Sequence, residues 1–408
     1  MQTELADFIR DTAEGREADA ILRKCVHCGF CTATCPTYQL LGDDLDGPRG
    51  RIYLIKRALE GAEVTEKTRL HLDRCLTCRA CETTCPSGVR YGRLADIGRA
   101  VVEARTTRGL WDRLKRAALA FGIPRTTVFS FVLGIGRLFR PFLPEPVRTK
   151  IPSSVTPAGR WPQARHKRKM LVLAGCVQPA LAPSINAAAA RVLDRIGVSL
   201  IEAPGAGCCG TMRFHLNRQE EGRDDMRALI DAWWPMIERG EVEAIVMTAS
   251  GCGTTVKEYG HLLAHDPKYR DKAARISSLT RDLSEVLTAE AITGSRQNQK
   301  ISFHSPCSLQ HGQQIRGKVE ALLERAGYEL TPVRDAHLCC GSAGTYSLLQ
   351  PELAEPLRER KLAALQEGQP QAIATANIGC LSHLQGATQI PVRHWVELLD
   401  VESTHERP

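Results

Sequence analysis

The chain has 408 residues, 25% charged and 43% hydrophobic, with sixteen cysteines and a formal net charge of +8. That length is too great for one core and implies two or three domains, and the composition excludes a disordered or fibrous chain. The positive excess is modest and no recognition motif accompanies it, so no nucleic-acid partner is expected. The start, MQTELADFIRDTAEGREAD, has neither a basic region nor an apolar run, so it does not read as a signal peptide. The longest apolar stretch, Val128 to Gly136, falls far short of the ~20 residues that span a bilayer. A cytoplasmic location is expected, where cysteines stay reduced and bind metal more readily than they pair.

The first hundred residues carry two runs of identical spacing. One is Cys25-Val-His-Cys28-Gly-Phe-Cys31-Thr-Ala-Thr-Cys35-Pro36, the other Cys75-Leu-Thr-Cys78-Arg-Ala-Cys81-Glu-Thr-Thr-Cys85-Pro86. Both read C-x2-C-x2-C-x3-C-P, the spacing of two-cluster ferredoxins, in which the fourth cysteine ligates the other cluster. The pattern therefore assigns Cys25, Cys28, Cys31 and Cys85 to one [4Fe–4S] cluster and Cys75, Cys78, Cys81 and Cys35 to a second. Pro36 and Pro86 turn the chain away after each crossing ligand. A zinc knuckle would stop at four ligands, which disfavours zinc here. Arg79 and His27, inside the runs, are expected to face solvent.

Between and after the runs, apolar positions 52, 54, 55, 58 and 59 predict a helix over Arg51 to Glu60, closed by Gly61. Further helices are expected from Lys67 to Leu72 and from Arg93 to Ala104. Residues 1–105 thus form a helical ferredoxin unit, similar to that of succinate dehydrogenase-type subunits. From Trp111 to Phe142, apolar residues alternate with Arg113, Lys115, Arg116, Arg137 and Arg140. Such a basic amphipathic segment folds onto its own protein, docks a partner or lies on an anionic membrane surface. A proline-rich stretch from 141 to 162 reads as an extended linker, so residues 106–165 separate the helical unit from the C-terminal part of the chain.

An internal repeat then occupies residues 166–295 and 296–408. The first copy holds Leu171-Val-Leu-Ala-Gly-Cys176, Gly207-Cys208-Cys209-Gly210 and Ala244-Ile-Val-Met-Thr-Ala-Ser-Gly-Cys252. The second holds Ile301-Ser-Phe-His-Ser-Pro-Cys307, Leu338-Cys339-Cys340-Gly341 and Ala372-Ile-Ala-Thr-Ala-Asn-Ile-Gly-Cys380. Each reads as strand, cysteine, helix, strand, CCG, helix, strand, glycine–cysteine. Parallel α/β packing is the consequence, with the cysteines in loops at strand ends. Four convergent soft ligands per copy (Cys176, Cys208, Cys209 and Cys252; Cys307, Cys339, Cys340 and Cys380) suit an additional Fe–S cluster or zinc. Thiol–disulfide chemistry by the vicinal pairs is the other reading. The two copies should form equivalent sites facing each other across a shared interface. His304, His311, His337 and His394 read as structural rather than as general bases.

Two ferredoxin runs followed by two CCG repeats resemble a family of oxidoreductase subunits. It includes iron–sulfur subunits of glycolate, lactate and glycerol-3-phosphate dehydrogenases and of heterodisulfide reductases. The segments CVHCGFCTATCPTYQLLGDDLDGPRGRIYLIK, HLDRCLTCRACETTCPSGVRYG, DAWWP, TASGCG, VKEYG, HLCCGSAGTY and TANIGC are most similar to the glycolate oxidase branch. In heterodisulfide reductase-like members the last cysteine of each repeat belongs to C-x-x-C. Here Thr255 and His383 stand at the second position, which leaves four cysteines per copy and makes His383 a candidate further ligand. The resemblance implies electron transfer from the FAD of a partner flavoprotein that oxidises glycolate to glyoxylate, onward to a quinone-level acceptor. It implies no FAD on this chain, which also lacks a G-x-G-x-x-G turn after a strand. The amphipathic segment should dock the complex, either on the flavoprotein or on the inner face of the cytoplasmic membrane, with Phe129, Phe131, Leu133 and Leu138 as its apolar side. A lactate or glycerol-3-phosphate dehydrogenase subunit, a thiol reductase, or a zinc-held scaffold are the alternatives.

Overall fold

A computed structural model describes residues 1–288 and 298–400. The boundary between repeats that the sequence places at 295/296 lies outside the described residues.

None of residues 1–105 lies in a strand. Four main helices build this unit: α1 (Ala13–Lys24), α2 (Pro48–Leu59), α3 (Glu66–Asp73) and α4 (Tyr91–Arg105). Pro48 opens α2 where a missing N–H costs nothing, and Gly61 at φ +89° follows its end. Its inner face presents Ile52, Ile55, Ala58 and Leu59 to Leu94, Ile97 and Val102 of α4. The fit is close, since a Cβ on Gly98 would strike Ile55. Thr65 and Thr68 form a reciprocal cap at the start of α3.

Two helices come next, α5 (Leu110–Gly122) and α6 (Thr126–Leu138), bent by 111° at their break. Among the described residues no single helix is long and apolar enough to cross a membrane. The linker is less extended than its prolines suggest. It makes short turns at Arg140–Phe142 and Glu145–Arg148, and its later part is held to the first repeat. There Trp161 donates to the Leu200 carbonyl at 3.1 Å and Arg191 donates to the carbonyls of Ala158 and Arg160.

Each repeat is a four-stranded, all-parallel sheet. The first has β1 (Arg168–Val172), β2 (Val198–Glu202), β3 (Ile245–Met247) and β4 (Thr280–Asp282) in the order β2-β1-β3-β4. The second has β5 (Lys300–His304), β6 (Glu329–Thr331), β7 (Ala372–Thr375) and β8 (Val392–His394) in the order β6-β5-β7-β8. The fourth strand of each was not legible from the cysteine pattern. Strands β3 and β7 are buried along their whole length, as expected where helices cover both faces of a parallel sheet.

The main helices here are α7 (Ser184–Asp194), α8 (Gln219–Glu238), α9 (Ser250–Lys257), α10 (Leu283–Val286), α11 (Lys318–Arg325), α12 (Pro351–Gln366), α13 (Ile378–Gln385) and α14 (Trp395–Leu399). The repeats pack reciprocally. Helix α7 of the first meets α14 of the second, and α10 of the first meets α11, the counterpart of α7. The two sheets therefore share one core around a pseudo-twofold axis. His394 fastens it, with Nε2 2.8 Å from the Thr248 carbonyl and Nδ1 accepting from the Val396 N–H at 3.3 Å.

Candidate metal centres

The eight N-terminal cysteines gather into two crossed sets. Cys25, Cys28, Cys31 and Cys85 line one cavity with Ile52, Val89 and Tyr91. Cys35, Cys75, Cys78 and Cys81 line a second with Thr37, Arg51 and Tyr91. The fourth cysteine of each run thus lies with the first three of the other. Cys81 and Tyr91 border both cavities. All sixteen cysteines are free thiols. Four soft donors around each hollow suit a cubane cluster.

The second cavity carries a charge arrangement that the motif does not announce. Arg51 is 1% exposed and Asp46 0%, paired at 3.4 Å, with Arg74 at 2.8 Å and His71 at 3.1 Å from the same carboxylate. Arg51 also donates to Thr37 Oγ1 at 3.1 Å, which lies 3.3 Å from Cys35 Sγ. The Tyr91 hydroxyl and the Thr77 N–H donate to Cys75 Sγ at 3.5 and 3.4 Å. Burial raises the Cys75 pKa, but Arg51 and Arg99 outweigh it and hold the thiol below its ordinary value. Cys78 and Cys81 lack such neighbours; burial and then adjacent thiols push both well up. As bare thiols these two keep their protons, so binding a cation there releases them.

Arg79 does not face solvent. It adopts φ +60° and its guanidinium makes a two-pronged pair with Glu258, one arm 2.8 Å long, that ties this unit to the first repeat. His27 is half-buried, edge-on to Tyr53.

Both CCG motifs have one geometry. Gly210 and Gly341 sit at φ +84° and +89°, and a Cβ would collide with the backbone of α8 at Gly222 or of α12 at Ala354. Only glycine meets both demands. The turn aims the glycine N–H at the first sulfur of each pair, at 3.4 Å from Cys208 and from Cys339. Cys252 and Cys380 are not in strand-end loops but in the first turns of α9 and α13. Each sheet reverses strand order between its first and third strands, the crevice where open α/β sheets bind ligands. Cys176 and Cys252 flank it in one copy, Cys307 and Cys380 in the other.

In the first copy the thiols form a chain of interacting neighbours, Cys176 with Cys208, Cys208 with Cys209, and Cys209 with Cys252. Interaction with its two thiol neighbours holds Cys209 well below the ordinary thiol value despite burial. Thr255, where a fifth cysteine would stand, accepts from Thr211, whose Oγ1 lies 3.1 Å from Cys209 Sγ. In the second copy Cys307 and Cys339 are 3.8 Å apart, and Cys339 contacts Cys340, which contacts Cys380. Here one ring nitrogen of His304 and the sulfurs of Cys340 and Cys380, all buried, lie within 4.8 Å of one another. His383, the sequence candidate, is not in this group, and its Nε2 is buried without a hydrogen-bond partner. The two sites meet through Asn377, whose Oδ1 accepts from the Gly251 N–H at 3.1 Å while its Nδ2 lies 3.6 Å from Cys380 Sγ.

The sites differ in surroundings. Cys78 of the N-terminal unit packs with Cys307 and Cys339, and His311 joins the same units by facing Thr83 Oγ1 at 2.9 Å and the His337 carbonyl at 2.8 Å. The first CCG site instead lies under Ile123 and Phe129 of the amphipathic pair. Lys361 of α12 is 3% exposed, donates to the Asp335 carbonyl at 2.8 Å, and lies among Cys307, Cys339 and Cys340. A cavity of about 290 Å³ opens beside Lys361 and Cys339. Sequence reasoning missed both Lys361 and Arg51. Each occupies the buried stripe of an otherwise apolar helix face, the signal that could have marked them.

Crossed cysteine quartets in a helical unit, joined to paired cysteine-rich α/β repeats, define an iron–sulfur electron-transfer subunit. Residues 21–89 match the family model of a 4Fe-4S dicluster domain, and residues 170–257 and 301–385 match that of a cysteine-rich domain. The chain belongs to the family of glycolate oxidase iron–sulfur subunits. It is 57% identical over 402 residues to the glycolate oxidase iron-sulfur subunit of Escherichia coli (strain K12), with 98% of each chain covered. A probable glycolate oxidase iron-sulfur subunit of Bacillus subtilis (strain 168) is 28% identical, with 92% of this chain and 91% of that one covered. Lactate utilization protein A of Bacillus velezensis matches 57% of this chain and 99% of its own length at 26% identity. A hypothetical protein from Helicobacter pylori, known from a crystal structure, shares the fold at TM-score 0.51 and 10% identity, over 97% of this chain and 73% of that one.

Proposed function

We propose that the chain is the electron-transfer subunit of a glycolate dehydrogenase complex. It takes electrons from an FAD-bearing partner that oxidises glycolate to glyoxylate and delivers them to a quinone-level acceptor. The observation that carries this reading is the pair of crossed cysteine cavities in a chain so similar to a glycolate oxidase subunit. Cys25, Cys28, Cys31 and Cys85 hold one [4Fe–4S] cluster; Cys75, Cys78, Cys81 and Cys35 hold the other. Bound there, such clusters supply one-electron transfer. Arg51, Tyr91 and Thr77 direct positive charge and hydrogen-bond donors at the second set, which favours its more reduced, more negative state. Cys28 is exposed beside exposed Val26 and Phe30, an apolar edge suited to the partner's docking. Cys176, Cys208, Cys209 and Cys252, and Cys307, Cys339, Cys340 and Cys380, form sites for a further Fe–S cluster or zinc.

The complex is cytoplasmic and touches the inner face of the membrane through α5 and α6. Trp111, Phe131, Leu138 and Phe142 support this contact, being 81%, 70%, 73% and 85% exposed. Phe129 does not join them, because it turns inward onto the first CCG site.

The test is purification of the native complex and dye reduction with glycolate, lactate and glycerol 3-phosphate. Glycolate should give at least about tenfold the rate of the others, and the isolated chain should contain no flavin and turn nothing over. Faster reduction with lactate, or FAD bound to the isolated chain, overturns the assignment.

A further inference from the structure

The two CCG sites are built on one plan but are not chemically alike. The paired register sets Leu171 against Ile245 in the first sheet and Ser302 against Ile373 in the second. Counting along each strand from these pairs, His304 occupies the position of Leu173. The approach of the CCG glycine to the carbonyl of its helix sets Gly222 against Ala354. Two turns further along, Lys361 occupies the position of Leu229. The second site therefore has an imidazole and an ammonium where the first has two buried leucines.

Each addition sits where a metal centre would use it. His304 is 2% exposed, and its Nδ1 is 3.0 Å from Thr375 Oγ1. Metal-binding histidines characteristically engage their second nitrogen in this way, which fixes the ring and leaves the other nitrogen for the metal. Lys361 buries a full charge beside three thiols, with backbone carbonyls as its hydrogen-bond partners. Burying an ammonium is costly unless negative charge accompanies it, and a thiolate-bound cluster provides that charge. Cys78 of the N-terminal unit packs against this site.

We infer that the second CCG site holds a third iron–sulfur centre in which His304 Nε2 supplies a ligand alongside Cys340 and Cys380. Cys307 and Cys339 complete the donor set, and Lys361 balances its charge. The inference rests on the iron–sulfur reading of the chain. The imidazole adds a donor without adding negative charge, and the ammonium of Lys361 offsets that of one thiolate, which raises a cluster's potential. This centre should therefore be the most easily reduced of those the chain carries.

The experiment uses the full chain purified without oxygen, assayed for iron and zinc, reduced, and examined by pulsed electron paramagnetic resonance for nitrogen coupling. The expected result is iron beyond the roughly eight atoms of two cubanes, with one paramagnetic centre coupled to an imidazole nitrogen. His304→Ala should lose that excess iron. His304→Cys should keep the iron and lose only the coupling, which guards against a variant that fails to fold. His383→Ala should change neither. About eight irons with no excess, stoichiometric zinc in its place, or coupling that survives His304→Cys or disappears in His383→Ala would each overturn the inference. Iron well below eight would instead count against the crossed ferredoxin sets, and so against the function proposed above.

Discussion

Arg51 carries its charge into the core of the N-terminal unit, where Asp46 and the thiols of Cys35 and Cys75 are its neighbours. Removing one partner of a buried pair costs about 3–5 kcal/mol because the other is left uncompensated. Asp46 keeps Arg74, so R51M should destabilise the chain by about 3 kcal/mol, at the low end of that range. It should also lower the midpoint potential of the centre at Cys75 and leave that at Cys28 unchanged. Denaturant titration and a redox titration of each signal check both. His394 makes a second residue-scale case. Burial depresses its pKa to about 4 from the ordinary 6.5, and both ring nitrogens are used by the neutral form. The unfolded chain takes up this proton first. Stability is therefore full above about pH 6.5 and falls as pH drops towards about 4, by a total of about 3 kcal/mol. H394N should flatten that slope in urea midpoints measured from pH 4 to 7. The cysteines were legible because metal chemistry demands fixed spacings. Arg51, Lys361 and His304 were not, because their roles depend on which helix face or strand end meets a sulfur brought from elsewhere in the chain.

At the scale of elements, apolar periodicity located α2, α3 and α4 to within a few residues, and the strands of the repeat were readable as short apolar runs before cysteines. Strands β4 and β8 escaped notice since they are three residues long and carry Arg281 and Arg393. The placement of Phe129 also escaped it, because periodicity gives the faces of a helix but not which one the rest of the chain covers. The outward face of α5 and α6 offers a direct test. F131D/L138D should cut binding to anionic lipid vesicles at least about tenfold while iron content and thermal stability stay the same, since neither residue is buried. Loss of iron or precipitation would show the pair to be ordinary core. Replacing a ligand has the opposite signature: C28S should remove about four irons and one cluster signal, leave the Cys75 set intact, and keep vesicle binding.

Across the whole molecule, the helical unit is bolted to both repeats. Arg79 pairs with Glu258, Tyr346 donates to the Arg74 carbonyl at 3.0 Å, and Asn217 donates to that of Arg99 at 3.0 Å. E258A strands a largely buried guanidinium and should cost about 2 kcal/mol. It should also split a single thermal transition into two, with the N-terminal signals lost first; one unchanged transition would count against the coupling. The repeat and its shared interface were legible because identical intervals between cysteines imply one topology used twice. The difference between the copies was not, because it lies in two leucines of the first copy that mean nothing until its partner is superimposed.

The reciprocal packing of the repeats has a consequence for how specialised such sites can become. Two identical chains around a true twofold axis would have to carry a given histidine and lysine in both sites or in neither. Joining the copies in one polypeptide lifts that obligation while keeping the self-complementary interface. Each half then supports the other's fold, and each crevice is free to drift in its own direction. The closeness of α7 to α14 and of α10 to α11 is what allows one half to remain a plain four-thiol pocket while the other acquires an imidazole and a buried cation.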